Sequence, residues 1–176
     1  PIDSNDCYQE MTEKPDHWLF SGSLAAFLRK SMKDFNHHRP YLVADKILLC
    51  KWDERLKALP RKMNIGISWL GGSKVKNKLD RSMSLEAMLP IMETANHYAN
   101  FINLQYGDHR EEISNFTRNT GITLHDWEDC DPMQDLENFS AQIKALDLVI
   151  SIDNSTVHFA GALGTKTYVM LPFDQD

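Results

Sequence analysis

After Pro60 the chain repeats one pattern: a short apolar run, a polar corner, then a stretch with helical periodicity. MNIGISWL (63–70) leads into Gly71-Gly72, and NFINLQY (100–106), ITLHD (122–126), DLVISI (147–152) and KTYVMLP (166–172) are four further strand-like runs. Between them lie SLEAMLPIMETANH (84–97), HREEISNFTRNTG (109–121), DLENFSAQIKAL (135–146) and TVHFAGAL (156–163), which read as helices. Strands apolar at consecutive positions must be covered on both faces, and helical crossovers between them make them parallel. The pattern predicts an α/β fold: a Rossmann-like parallel sheet with helices on both faces, strand order left open. Ser84 is expected to open its helix, Pro90 to kink it, and Gly121 to close the helix that follows.

Upstream of the sheet the texture differs. Residues 1–20 are polar and aperiodic, whereas GSLAAFLRKSM (22–32) places Leu24, Phe27, Leu28 and Met32 on one helical face behind Ser23 as N-cap. NHHRPYLVAD (36–45) breaks that helix at Pro40 and reads as an extended connector, and KILLCKWDERLKAL (46–59) is an amphipathic helix stopped by Pro60. The sheet is thus preceded by a helical segment. A doubly wound sheet usually continues past its fifth strand, so the chain is expected to be a piece of a longer protein, incomplete at its end.

Composition excludes several classes. A net charge of −6 argues against general nucleic-acid binding, and no apolar run approaches the roughly 20 residues of a membrane span. Cys7, Cys50 and Cys130 are odd in number and far apart, which points to a reducing, cytoplasmic setting rather than a disulfide framework. His37/His38 and Cys7/His17 lack the spacing of zinc ligands, so no metal site is expected. Neither G-x-G-x-x-G nor G-x-x-x-x-G-K-[ST] occurs, which removes the main support for a dinucleotide dehydrogenase or a P-loop ATPase. The acidic stretch HDWEDCDPMQDLE (125–137) has no calcium-loop spacing and reads as a solvated loop at the rim.

The corner Asp153-Asn154-Ser155-Thr156-Val157-His158 is the strongest functional candidate. Ligands of open parallel sheets bind beyond the carboxyl ends of the strands, where loops enter helix N-termini. First-turn N–H groups and the helix dipole favour an anion there, with Ser155 and Thr156 as hydroxyl donors and His158 in the first turn. An ordinary N-cap accounts for Asp, Asn, Ser and Thr equally well. Two other strand ends tilt the balance toward a phosphate site. Gly71 and Gly72 open a basic loop holding Lys74, Lys76, Lys78 and Arg81, and Gln105 with Tyr106 ends the second strand.

GISWLGGSK, DRSMSLEAMLPI, FINLQYG, ALDLVISIDNSTVHFAGALGTKTYVMLP and the upstream RPYLVAD resemble glycosyltransferases of the GT-B fold. The resemblance is to the heptosyltransferase-like (family 9) group and to the glycosyltransferase-like domains that follow tetratricopeptide repeats in bacterial proteins. It implies that residues 61–176 are a C-terminal nucleotide-sugar-binding domain, 41–60 an interdomain connector and helix, and 1–40 the end of an N-terminal acceptor domain. It implies a nucleotide diphosphate-sugar as donor substrate, no separate cofactor, metal-independent transfer, and a sugar or protein acceptor. Tetratricopeptide repeats elsewhere in a longer chain fit the same resemblance. The family's Asp-x-Ser/Thr-x-x-His corner falls on Asp153, Ser155 or Thr156, and His158, while Arg81 and Ser82 match its Arg-Ser and Gln105 its strand-two glutamine, all near the phosphates. Asn154 stands where the family usually has Thr. No catalytic base is assigned. A non-catalytic sugar- or protein-binding module of the same fold, or a sugar-nucleotide epimerase, is the alternative.

Overall fold

In the computed structural model of the chain, the residues described are 19–35, 39–71 and 82–171. Contacts divide the chain into two units, Pro1–His38 and Arg39–Asp176. In the first unit, α1 (Ser21–Leu28) is followed by a 3-10 turn over Met32–Phe35. The helix starts before Ser23, so Ser23 lies inside it rather than capping it, its N–H donating to the Phe20 carbonyl at 2.9 Å.

The second unit holds five parallel strands in the order β3-β2-β1-β4-β5: β1 (Met63–Ser68), β2 (Ala99–Asn103), β3 (Leu124–His125), β4 (Leu148–Ile152) and β5 (Thr167–Met170). The central strand β1 sets Ser68 directly beside Ser151 of β4. The helices are α2 (Lys46–Lys57), α3 (Leu89–Ala95), α4 (Arg110–Thr120), α5 (Leu136–Ala145) and α6 (Ser155–Leu163). Alternate strand residues feed two cores. Ile65, Ile67, Phe101 and Ile150 pack with Met92 and Phe116 from α3 and α4. Ile102 and Val149 pack on the opposite face with Trp52, Phe139, Ile143 and Leu163 from α2, α5 and α6. This is the α/β sheet covered on both faces that the apolar runs demand.

Three elements differ from the sequence reading. Pro90 sits in the first turn of α3, where a missing N–H removes nothing, so the helix starts there instead of kinking. The turn ahead of it is a 3-10 segment, Leu85–Met88, capped by Ser84 Oγ accepting from Ala87 N at 3.2 Å. The third strand has two residues, Leu124 and His125, because only these pair with Phe101 and Ile102. Gly121 does close α4, at φ +73°. In β1, Gly66 makes room for its neighbours: a Cβ there would lie 2.4 Å from Leu104 Cδ1 and 2.6 Å from Leu146 Cδ1.

The connector ahead of α2 is fixed to the sheet unit. The Tyr41 and Leu42 N–H groups both donate to the Ala162 carbonyl, at 2.9 and 3.1 Å, near the end of α6. Gly164 closes α6 at φ +72°, and Pro40 Cγ lies 2.3 Å from where a Cβ at 164 would stand. Asp45 then caps α2, accepting from Ile47 N and Leu48 N, both at 2.9 Å.

Candidate functional site

The carboxyl ends of β1, β2 and β4 are joined by a buried polar network. Ser68 and Ser151 are both fully buried. Asn154 lies between them and uses its whole amide: Oδ1 accepts from Ser151 Oγ at 3.1 Å and from Thr156 N at 3.0 Å. Its Nδ2 donates to Ser68 Oγ at 2.7 Å and to the Leu70 carbonyl at 3.3 Å. One side chain therefore ties the ends of two strands to the first turn of α6. As N-cap it also takes the place that the hydroxyls of Ser155 and Thr156 were candidates for.

Gln105 works from the other side. It is 4% exposed, and its Oε1 accepts from Ser68 Oγ and Trp69 N at 3.1 Å and from Leu70 N at 2.8 Å. Its Nε2 donates to the Leu70 carbonyl at 3.3 Å. Gln105 thus holds the backbone that leaves β1. Gly71 N donates to Ser82 Oγ at 3.0 Å and Met83 N to the Trp69 carbonyl at 2.9 Å, so the two ends of the segment between them meet at the sheet edge. Gly72, Lys74, Lys76, Lys78 and Arg81 lie outside the described residues.

What the corner presents outward follows from what it holds inward. Thr156 is buried and its N–H is taken by Asn154, and Val157 N donates to the Asn154 carbonyl at 3.2 Å. Ser155 and His158 are exposed, Asp153 is half-buried, and none of the three side chains has a partner among the described residues. The structure thus brings Gly71, Ser82, Gln105, Asp153, Asn154, Ser155, Thr156, Val157 and His158 to one sheet edge, with Asn154 and Gln105 engaged internally.

Beside this corner lies a cavity of about 310 Å³ between the ends of β2 and β3, within the roughly 300–1,000 Å³ range of small-molecule sites. Asn103, Gln105, Asp126, Trp127, Cys130 and Gln142 are among its lining residues. Asn103 Nδ2 donates to Asp126 Oδ1 at 2.9 Å, and Cys130 Sγ donates to Gln142 Oε1 at 3.3 Å. Burial, helped by nearby carboxylates, pushes the Cys130 thiol up to about 12. At the mouth, Arg110 joins Asp108 (2.8 Å) to Glu128 (2.7 Å) and holds the Asp108 carboxyl down to about 2. The acidic stretch is solvent-exposed, as read, at Asp126, Glu128, Asp129, Asp135 and Glu137, and it is also fastened by ion pairs and lines the cavity. The one signal for it in the sequence was Trp127 among carboxylates straight after a strand. Among the described residues no group of three His, Cys, Asp or Glu side chains is placed to hold a metal ion, and no helix is long and apolar enough to cross a membrane.

No protein-family model matches the chain. In sequence it is 28% identical over 163 residues to Protein FlbA of Caulobacter vibrioides, covering 93% of this chain and 27% of that protein. Among solved structures, the glycosyl transferase family 9 from Veillonella parvula superposes with a TM-score of 0.59 at 12% identity, over 77% of this chain and 38% of that one. The chain therefore spans little more than a quarter of its curated relative and well under half of its structural neighbour. What the structural likeness shows is the fold: a parallel five-stranded α/β sheet of the kind found in a family 9 glycosyltransferase.

Proposed function

We propose that residues 61–176 are the donor side of a glycosyltransferase, binding a nucleotide diphosphate-sugar at the 153–158 corner for transfer without a metal ion. The observation that carries this reading is the first turn of α6, with Ser155 and His158 exposed and without partners among the described residues, at the carboxyl end of a central strand in a sheet like that of a family 9 glycosyltransferase. When a glycosyl group leaves, negative charge grows on the nucleoside diphosphate. Helix dipole, hydroxyl and imidazole at the corner are the groups that would meet it. Gly71 and Ser82, with Gly72 and Arg81 on the sequence resemblance, are proposed as further phosphate contacts. The nucleoside would extend into the neighbouring cavity, whose amides and carboxylates suit ribose hydroxyls and the amino edge of a base. Asn154 and Gln105 are scaffold in this reading. The acceptor, a sugar or a protein, would be held by other parts of a longer chain, helical repeats among them on the sequence resemblance.

A thermal-shift panel of UDP, ADP, GDP and CDP with this chain tests the reading. One of them is expected to stabilise it by about 2.7 kcal/mol at a hundredfold excess over Kd. A chain that none of the four stabilises does not carry this site. A non-catalytic binding module is the second reading. It is favoured by one observation: among the described residues, Asp153 and His158 have no second group orienting them as a base. Binding without turnover, in a chain that also contains its acceptor domain, would select it.

A further inference from the structure

The wall of the cavity is held from outside by α2. Arg55 reaches from α2 to Asp129 with two parallel bonds, Nη1 to Oδ1 and Nη2 to Oδ2, both 2.8 Å. Its guanidinium lies over the Trp52 ring at 4.5 Å and the Trp127 ring at 5.4 Å. Lys51 adds a bond to Asp129 Oδ2 at 2.9 Å. Below this, Trp52 and Trp127 meet edge to face at 5.4 Å, and Trp127 stacks on His125 at 5.9 Å. Asn138 of α5 accepts from Trp52 Nε1 at 2.7 Å and donates to the Asp129 carbonyl, also at 2.7 Å. The segment clamped this way, Trp127 to Asp131, lines the cavity, while Arg55 and Asp129 themselves face away from it.

A pair 23% and 45% exposed adds little to stability, so a two-pronged arginine that also lies against two indoles is better explained by the geometry it imposes. We propose that Arg55 is a positioning residue: through Asp129 it fixes the 127–131 wall of the cavity and so sets which nucleoside the site accepts. This rests on the reading of the cavity as the nucleoside end of the donor site. It places selectivity partly outside the cavity, in a helix that belongs to the connector region.

The test compares wild type with Arg55→Met, which keeps an apolar stem against the indoles, Arg55→Lys, which keeps the charge but not the fork, and Asp129→Asn. Inorganic pyrophosphate and the four nucleoside diphosphates are titrated by calorimetry, and Cys130 alkylation by iodoacetamide is followed by peptide mass. All three variants are expected to fold with near-wild-type unfolding midpoints and to bind pyrophosphate as wild type does. Their best nucleoside diphosphate should bind about tenfold more weakly, with preference among bases flattened, and Cys130 should alkylate faster as the wall loosens. Equal weakening of pyrophosphate and nucleotides, or unchanged nucleotide preference and alkylation, overturns the positioning role while leaving the donor site standing. A wild-type chain that binds none of the five probes overturns the donor-site reading, and this inference with it.

Discussion

The 153–158 corner and the β2–β3 cavity sit side by side at the same end of the sheet and are built by opposite means. Neutral groups brace the corner: buried Ser68, Ser151 and Gln105 and half-buried Asn154 hold one another and the backbone, and none of these braces is charged. The cavity wall is held by charges at the surface, Arg55 and Lys51 on Asp129, and Arg110 between Asp108 and Glu128. Neutral amides fix the backbone there without adding net charge, so that the one formal charge of the corner is the half-buried Asp153. Ion pairs near solvent are screened by salt and add little to stability, so their contribution to the wall is the geometry they impose. On the proposed reading, the neutral support lies under the charged half of the ligand and the charged support beside its nucleoside half.

Removing one brace from each region is the most forceful way to break this contrast. Asn154→Ala deletes an N-cap and takes a partner from each of the buried Ser68 and Ser151 hydroxyls, so it should destabilise the chain by about 2–4 kcal/mol in equilibrium urea unfolding. Asp129→Asn should change the same measurement by less than about 1 kcal/mol, because its partners stay in reach of water. Comparable losses for the two would erase the distinction between the supports.

His158→Ala sharpens the contrast from the ligand side. An exposed first-turn side chain should cost within about 0.5 kcal/mol of stability when truncated. Loss of a charge-assisted phosphate contact should weaken pyrophosphate and nucleoside diphosphates alike, by roughly ten- to a hundredfold in Kd. That equal loss is the opposite of the split expected for Arg55. A large fall in melting temperature with unchanged affinity would remove His158 from the phosphate site.

The smallest expected effect belongs to His125, which stacks on Trp127 under the cavity wall. Burial, and secondarily the positive charge of Arg61, lower its pKa from the ordinary histidine value of 6.5. The unfolded chain then binds the extra proton first, so stability rises with pH in this window and is lost as pH falls from about 6.5 through the folded value. The residue is half-buried and keeps contact with water, so the loss should be a fraction of a kcal/mol. Urea midpoints at pH 7.5 and 5.5 should differ slightly more for wild type than for His125→Gln, and a larger shift in the variant would reverse the assignment.

The strands were legible because apolar runs such as NIGIS and LVISI have no other use in a chain of this composition, and the corner because hydroxyls and a histidine gather where a strand meets a helix. The roles inside the corner were not. Asn154 finds Ser68 across 86 positions and Gln105 finds Leu70 across 35, and such partners exist only once the strand order is set. For the same reason the acidic stretch read as a free loop: its fastening depends on Arg55, 74 residues away. Pro90 misled more locally, since a proline inside a helical period marks a kink or a start, and only the 3-10 turn before it decides.

The seating of the connector has a mechanical consequence. Tyr41 and Leu42 hang from the Ala162 carbonyl, and Pro40 fills the space that any side chain at 164 would need. Their attachment is at the far end of α6 from Ser155, a rod of nine residues and about 13 Å. A pull on the chain arriving at Pro40 is therefore applied to one end of a stiff lever whose other end is the corner. Tension from upstream would tilt or draw back the Ser155–His158 turn without bending the sheet, and a bound ligand pushing on that turn would be felt as force at Pro40.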